Sequence, residues 1–95
     1  MMNSIEVDEF ADRVLSHFLG CAIPEIRVGA SENPFRRLLA EDEAALRGWR
    51  WICRRAPSRE VADAVLARLG RNGARVREPD GWGFVYAFKA AQEKF

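Results

Sequence analysis

Trp49-Arg50-Trp51-Ile52-Cys53-Arg54-Arg55, Ser58 to Asn72, Ala74-Arg75-Val76-Arg77-Glu78, Pro79-Asp80-Gly81 and Trp82-Gly83-Phe84-Val85-Tyr86-Ala87-Phe88 decide the fold. In order they read strand, helix, strand, tight turn, strand. Side chains alternate faces along a strand, so Trp49 and Trp51 share one side of the first. Trp82, Phe84, Tyr86 and Phe88 share one side of the last. Pro57-Ser58 breaks the first strand, and Ser58 caps a helix whose apolar stripe is Val61, Ala62, Val65, Leu66 and Leu69. Asn72-Gly73 stops that helix. Pro79 presets its backbone and Gly81 accepts positive φ, so the strands on either side of this turn are expected to form a hairpin.

Upstream, Phe10, Ala11, Val14, Leu15, Phe18 and Leu19 recur at three- and four-residue steps, which predicts a helix over 4–19 that Gly20 ends. Asn3 or Ser4 caps it, and Glu6 completes a start like a capping box. Residues 21–28 alternate weakly, and Pro24 restricts them to an edge strand or none. Gly29-Ala30-Ser31-Glu32 reads as a loop. Asn33-Pro34 opens a second helix that Gly48 closes. Lys89 to Phe95 favours a short terminal helix.

These elements predict one α+β domain over 1–95, with a small, mostly antiparallel sheet of three or four strands covered by helices. The strand-helix-strand-strand unit of the C-terminal half resembles half of a ferredoxin-like fold. Its crossover makes the strands from Trp49 and from Ala74 parallel.

Of 95 residues, 48% are hydrophobic and 31% charged, which places the chain among soluble globular proteins rather than disordered ones. It has no apolar run of the ~18 residues a membrane span needs, and no signal-peptide pattern. A cytoplasmic location is expected. Cys21, Cys53 and the lone His17 have no metal-ligand spacing, so no metal or cofactor is expected, and the cysteines read as buried free thiols. Net charge is +1 but polarised: residues 1–47 carry nine acids against five bases, and residues 48–95 carry ten bases against five acids. The halves are thus −4 and +5. They either steer a charged partner or neutralise each other in the fold.

Gly81-Trp82-Gly83-Phe84-Val85-Tyr86 resembles the octapeptide signature of RNA recognition motif domains. That resemblance implies base stacking on Trp82 and Phe84, with Val85 packed inward. Trp49 or Trp51 would extend the platform, and Arg50, Arg54, Arg75 and Arg77 would reach phosphates. The sequence departs from the signature at Asp80, where a basic residue belongs, and at Ala87, where an aromatic does. The competing expectation is that Trp51, Cys53, Phe84, Tyr86 and Phe88 form the core face beneath the helices. The 58–72 helix followed by a hairpin also looks like a winged-helix recognition helix and wing, with Arg59, Arg68 and Arg71 toward DNA. A strand stands where that motif needs a helix.

His17 sits on a polar helix face, and no motif places a nucleophile, so a non-enzymatic role is expected. Tryptophan and arginine dominate interface hot spots. The expected function is a protein-binding module, an adaptor or inhibitor, using Trp49, Arg50, Arg54, Arg75, Arg77, Trp82 and Phe84. Small solitary domains of this kind include phage and mobile-element anti-defence proteins such as anti-CRISPR proteins. The alternative is single-stranded nucleic-acid binding on an aromatic sheet face. Homo-oligomerisation through an exposed sheet edge is a further option.

Overall fold

Apolar side chains from two helices and one sheet face make the larger core, and Tyr86 and Phe88 with Trp51 make a second cluster on the other face. The computed structural model describes residues 4–36 and 51–89. It is a small α+β domain in the order α1 (Ser4–Ser16), a 3-10 turn (Ile23–Glu25), β1 (Ile26–Ser31), β2 (Trp51–Arg55), α2 (Arg59–Arg71), β3 (Arg75–Val76) and β4 (Phe84–Lys89). Val7, Ala11, Val14 and Phe18 from the α1 region meet Val61, Ala62, Val65, Leu66 and Leu69 of α2. Both sets rest on Ile26, Val28, Ala30, Val85 and Ala87 of the sheet. Burial of this stripe, more than intrinsic propensity, holds such helices in place. The acidic and basic halves meet here: Arg68 of α2 pairs with Asp8 and, at 4.0 Å, with Asp12 of α1, while Lys89 reaches Glu25 at 3.8 Å.

Both helices begin or end as their sequences dictate. Ser58 Oγ accepts the Val61 N–H at 3.2 Å, capping α2. The turn after α2 passes through Gly73 at φ +108°. Helix α1 gives way after Ser16 to tightened turns that run to Gly20.

The sheet order is β2-β4-β1-β3 and the sheet is mixed. Strand β4 runs antiparallel to both β1 and β2, and β1 pairs parallel with β3. Four expectations change. First, β3 and β4 form no hairpin, because β1 lies between them. Beyond β3 the chain stays beside β1, where Arg77 N–H donates to Val28 O at 2.8 Å and Asp80 N–H to Ala30 O at 3.1 Å. The Pro79-Asp80-Gly81 bend therefore carries the chain across the end of β1. Neither a ferredoxin-like unit nor a wing is formed by these strands.

Second, β1 is a central strand rather than an edge, and it includes Gly29, Ala30 and Ser31. Pro24 falls in the 3-10 turn just before it, so it removes no ladder donor. Gly29 is required inside the ladder: a Cβ there would stand 2.5 Å from Tyr86 Oη, because the Tyr86 ring lies across it.

Third, Trp51, Cys53, Phe84, Tyr86 and Phe88 do not face α1 and α2, although Tyr86 and Phe88 are buried as a core reading expects, with Trp51 packed against them. Val85, Ala87 and Ile52 do, and the aromatic set occupies the opposite face. There Tyr86 and Phe88 stack with centroids 6.4 Å apart, and Phe35 approaches Trp51 at 6.3 Å. Fourth, Cys53 is exposed and Cys21 half-buried, so neither is the core thiol expected.

Residues 37–48 of the expected second helix, the expected terminal helix after Lys89, the expected cap at Asn3, and Trp49 and Arg50 lie outside the described residues. No helix among the described residues is long and apolar enough to cross a membrane.

Candidate docking pocket at the end of the sheet

Phe84 begins β4 and is flanked across the ladder by Ser31 on β1 and Arg55 on β2. Opposed residues share a face, so these three side chains start on the aromatic side. Just beyond them the chain turns at Ala56-Pro57 toward α2. The Ala56 N–H donates to Gly83 O at 2.9 Å, extending the β2–β4 ladder by one pair. An open pocket of about 520 Å³ results, lined by Glu32, Arg55, Ala56, Pro57, Trp82, Gly83 and Phe84.

Trp82 is 39% exposed at this pocket and precedes the strand rather than belonging to it. Its main chain is nonetheless held. Glu32 Oε1 accepts the N–H groups of both Trp82 and Gly83, each at 3.2 Å. Hydrogen bonds to an ionised acceptor are stronger than neutral ones. The carboxylate comes close because glycines flank the tryptophan. A Cβ on Gly81 would lie 2.8 Å from Glu32 Cγ, and one on Gly83 would lie 2.6 Å from Glu32 Oε2. The Gly-Trp-Gly spacing that suggested a nucleic-acid signature thus has a local cause: it admits a carboxylate to two consecutive amides.

Glu32 is itself fixed by its neighbours. Ser31 Oγ accepts the Asn33 N–H at 3.1 Å, and Asn33 Oδ1 accepts the Arg36 N–H at 3.1 Å, capping the helical turn at Pro34–Arg36. The acid therefore projects from a short corner between a strand and a helix start.

The pocket gathers Trp82 and Phe84 of the expected residues, and adds Glu32, Pro57 and Arg55. Arg54 opposes Val85 and so belongs to the helix-covered side of β2. Arg75 on β3, at the other edge of the sheet, opposes Arg27 on β1, and the Arg77 guanidinium sits 5.5 Å from the Phe88 ring centroid. Glu32 was missed because its segment reads as a loop. The signal that would have found it is the pair of glycines around Trp82, since glycine also marks close backbone approach.

No group of three or more His, Cys, Asp or Glu among the described residues is placed to hold a metal ion. Desolvation by burial pushes the Cys53 thiol above its ordinary value. Such a thiol is a weaker nucleophile near neutrality, since the thiolate is the reactive form.

No known family, curated protein or solved structure matches this chain. The pocket's chemistry must therefore speak for itself. It offers an aromatic wall from Trp82 and Phe84, and one charge of each sign, from Glu32 and Arg55.

Proposed function

We propose that this chain is a small, non-enzymatic protein-binding module, an adaptor or inhibitor, whose docking anchor is the pocket at the end of the sheet. The observation that carries this reading is the exposed Trp82 whose backbone is clamped by Glu32 beside Phe84 and Arg55. Hot spots are enriched in tryptophan and arginine seated in desolvated pockets. A ring on a fixed main chain loses less freedom on binding, and preorganisation of this kind raises affinity. The mixed charges at the rim suit a protein surface better than a polyanion.

The nucleic-acid alternative has less in its favour. Its two stacking residues differ, with Trp82 exposed and Phe84 half-buried, and the aromatic face they would extend is closed, since Tyr86 and Phe88 are 0% and 2% exposed. The carboxylate of Glu32 lines the same pocket as Trp82 and Phe84 and would repel a phosphate there. Arg75 and Arg77 lie at the sheet edge opposite β2.

The test is capture from lysate with the wild-type chain and with Trp82→Ala, each with and without nuclease. A protein retained after nuclease treatment and lost in Trp82→Ala is the expected outcome. Capture that disappears with nuclease favours the nucleic-acid reading, and equal capture by both chains removes the pocket from the site.

A further inference from the structure

Among the described strands β2 is an edge of the sheet, and its hydrogen-bonding direction follows from one bond. Ala56 N–H donates to Gly83 O, so those two residues form a hydrogen-bonded pair. Such pairs alternate along an antiparallel ladder. Arg54 with Val85 and Ile52 with Ala87 are then also bonded pairs in the observed register. The peptide groups of Trp51, Cys53 and Arg55 must point the other way, off the sheet. The opposite side of the sheet agrees with this phasing. There Val28 and Ala30 turn their carbonyls toward Arg77 and Asp80. Among the described residues, no strand pairs with the outer side of β2. Cys53, at its centre, is exposed, and so is Arg55. An open edge of this kind is a template for another strand.

We propose that the strand that completes it is β2 of a second copy of this chain, antiparallel, with the two-fold axis passing at Cys53. Outward-pointing residues pair only with outward-pointing residues, so only a few registers are available. The one centred on Cys53 uses the whole strand. It sets Trp51 opposite Arg55, Ile52 opposite Arg54, and Cys53 opposite its own copy. No arginine faces an arginine across the seam. Each Arg55 guanidinium instead lies beside the Trp51 ring of the other copy on the aromatic face, where a cation and an indole attract. A register centred on Arg55 would oppose like charges, and a parallel pairing would bring Arg54 and Arg55 beside their own copies. The sequence Trp-Ile-Cys-Arg-Arg is thus self-complementary when reversed. The product is a closed, isologous dimer with one continuous sheet across both copies.

A seam of one short strand is small compared with permanent interfaces. The expected dissociation constant is therefore weak, roughly 10 μM to 1 mM. Light scattering across that range should show the mass rising from monomer toward dimer. Cys53→Pro deletes an outward N–H while sparing the β2–β4 ladder, and it should remain monomeric with unchanged far-UV circular dichroism. If proline disturbs the fold, Cys53→Lys serves instead, because it sets two like charges on the axis. The register has its own readout. Opposed residues in a bonded antiparallel pair have Cα atoms about 5.5 Å apart. A spin label on Cys53 in a Cys21→Ser chain should show strong dipolar broadening that unlabelled chain abolishes. A monomer mass at the highest concentration overturns the proposal. So does a folded Cys53→Lys chain that dimerises like wild type, or a dimer without broadening.

Discussion

Gly29→Ala tests the account of the central strand most directly. Gly29 opposes Tyr86 in the β1–β4 ladder, and an added Cβ would meet Tyr86 Oη at 2.5 Å, Cζ at 2.6 Å and Cε1 at 2.9 Å. Ordinary carbon contacts lie near 3.5–4.0 Å, so the overlap is about 1 Å on three atoms. Neither side can retreat easily. Strand β1 is bonded on both flanks, to β4 and β3, and the Tyr86 ring is fully buried. Overpacking typically costs about 1–3 kcal/mol, and this rigid site belongs at the upper end, about 3 kcal/mol. Glycine's backbone entropy offsets less than about 1 kcal/mol of that. For a domain of this size the net loss lowers Tm by roughly 10–20 °C. Urea unfolding and calorimetry of the wild type, Gly29→Ala, Tyr86→Leu and the double variant supply the cycle. The cost of the alanine should fall below about 1 kcal/mol once the ring is gone. A Gly29→Ala chain within a few degrees of wild type, or an equal cost with and without Tyr86, would refute the reasoning.

Three further outcomes are expected. Glu32→Ala removes the acceptor for two amides at an exposed site, so stability falls by only about 1 kcal/mol, while hydrogen exchange at the Trp82 and Gly83 amides accelerates selectively. Ser58→Ala lowers stability by about 1 kcal/mol through loss of the α2 cap, and Ser58→Gly restores most of it; denaturant midpoints decide. The Cys53 thiol, raised from 9.0 by desolvation, should alkylate more slowly in the native chain than in the urea-unfolded chain at pH 9. Its raised value favours the neutral form in the fold. The associated stability is present below the ordinary value and declines as pH rises through it, a slope that Cys53→Ser should remove in an alkaline unfolding series.

The parts of the fold legible in the sequence are those fixed by neighbours along the chain. Ser58 and Asn33 announced their caps, Val61 to Leu69 their apolar stripe, and the alternation in 51–55 and 84–88 their strands. The parts that failed are those decided by distant residues. Gly29-Ala30-Ser31 looks like a loop because small residues lack strand propensity, yet the bulk of Tyr86 demands that smallness at Gly29. The hairpin reading of Pro79-Asp80-Gly81 took the bend to join neighbouring strands, and nothing local reveals that β1 intervenes. At the pocket, Trp82 and Phe84 stood out by type, whereas Glu32 and Arg55 gain meaning only when three strand ends converge.

The position of β1 between two strands that follow it in the chain also dictates an order of events during synthesis. Ile26 to Ser31 emerge long before Phe84 to Lys89, and β2, made in between, docks on β4 rather than on β1. Until β4 arrives, β1 and β2 have nothing to join them, and β1 stands bare on the flank that β4 fills, with β3 the sole partner available to it among the described strands. Helices α1 and α2 can meet earlier, but they have no sheet to cover. Closing such distant pairings is slow, because the loop entropy is lost before the contacts form. A stalled chain lacking β4 would expose apolar β1 and α2 surfaces together. The last strand acts as the bolt that locks everything made before it.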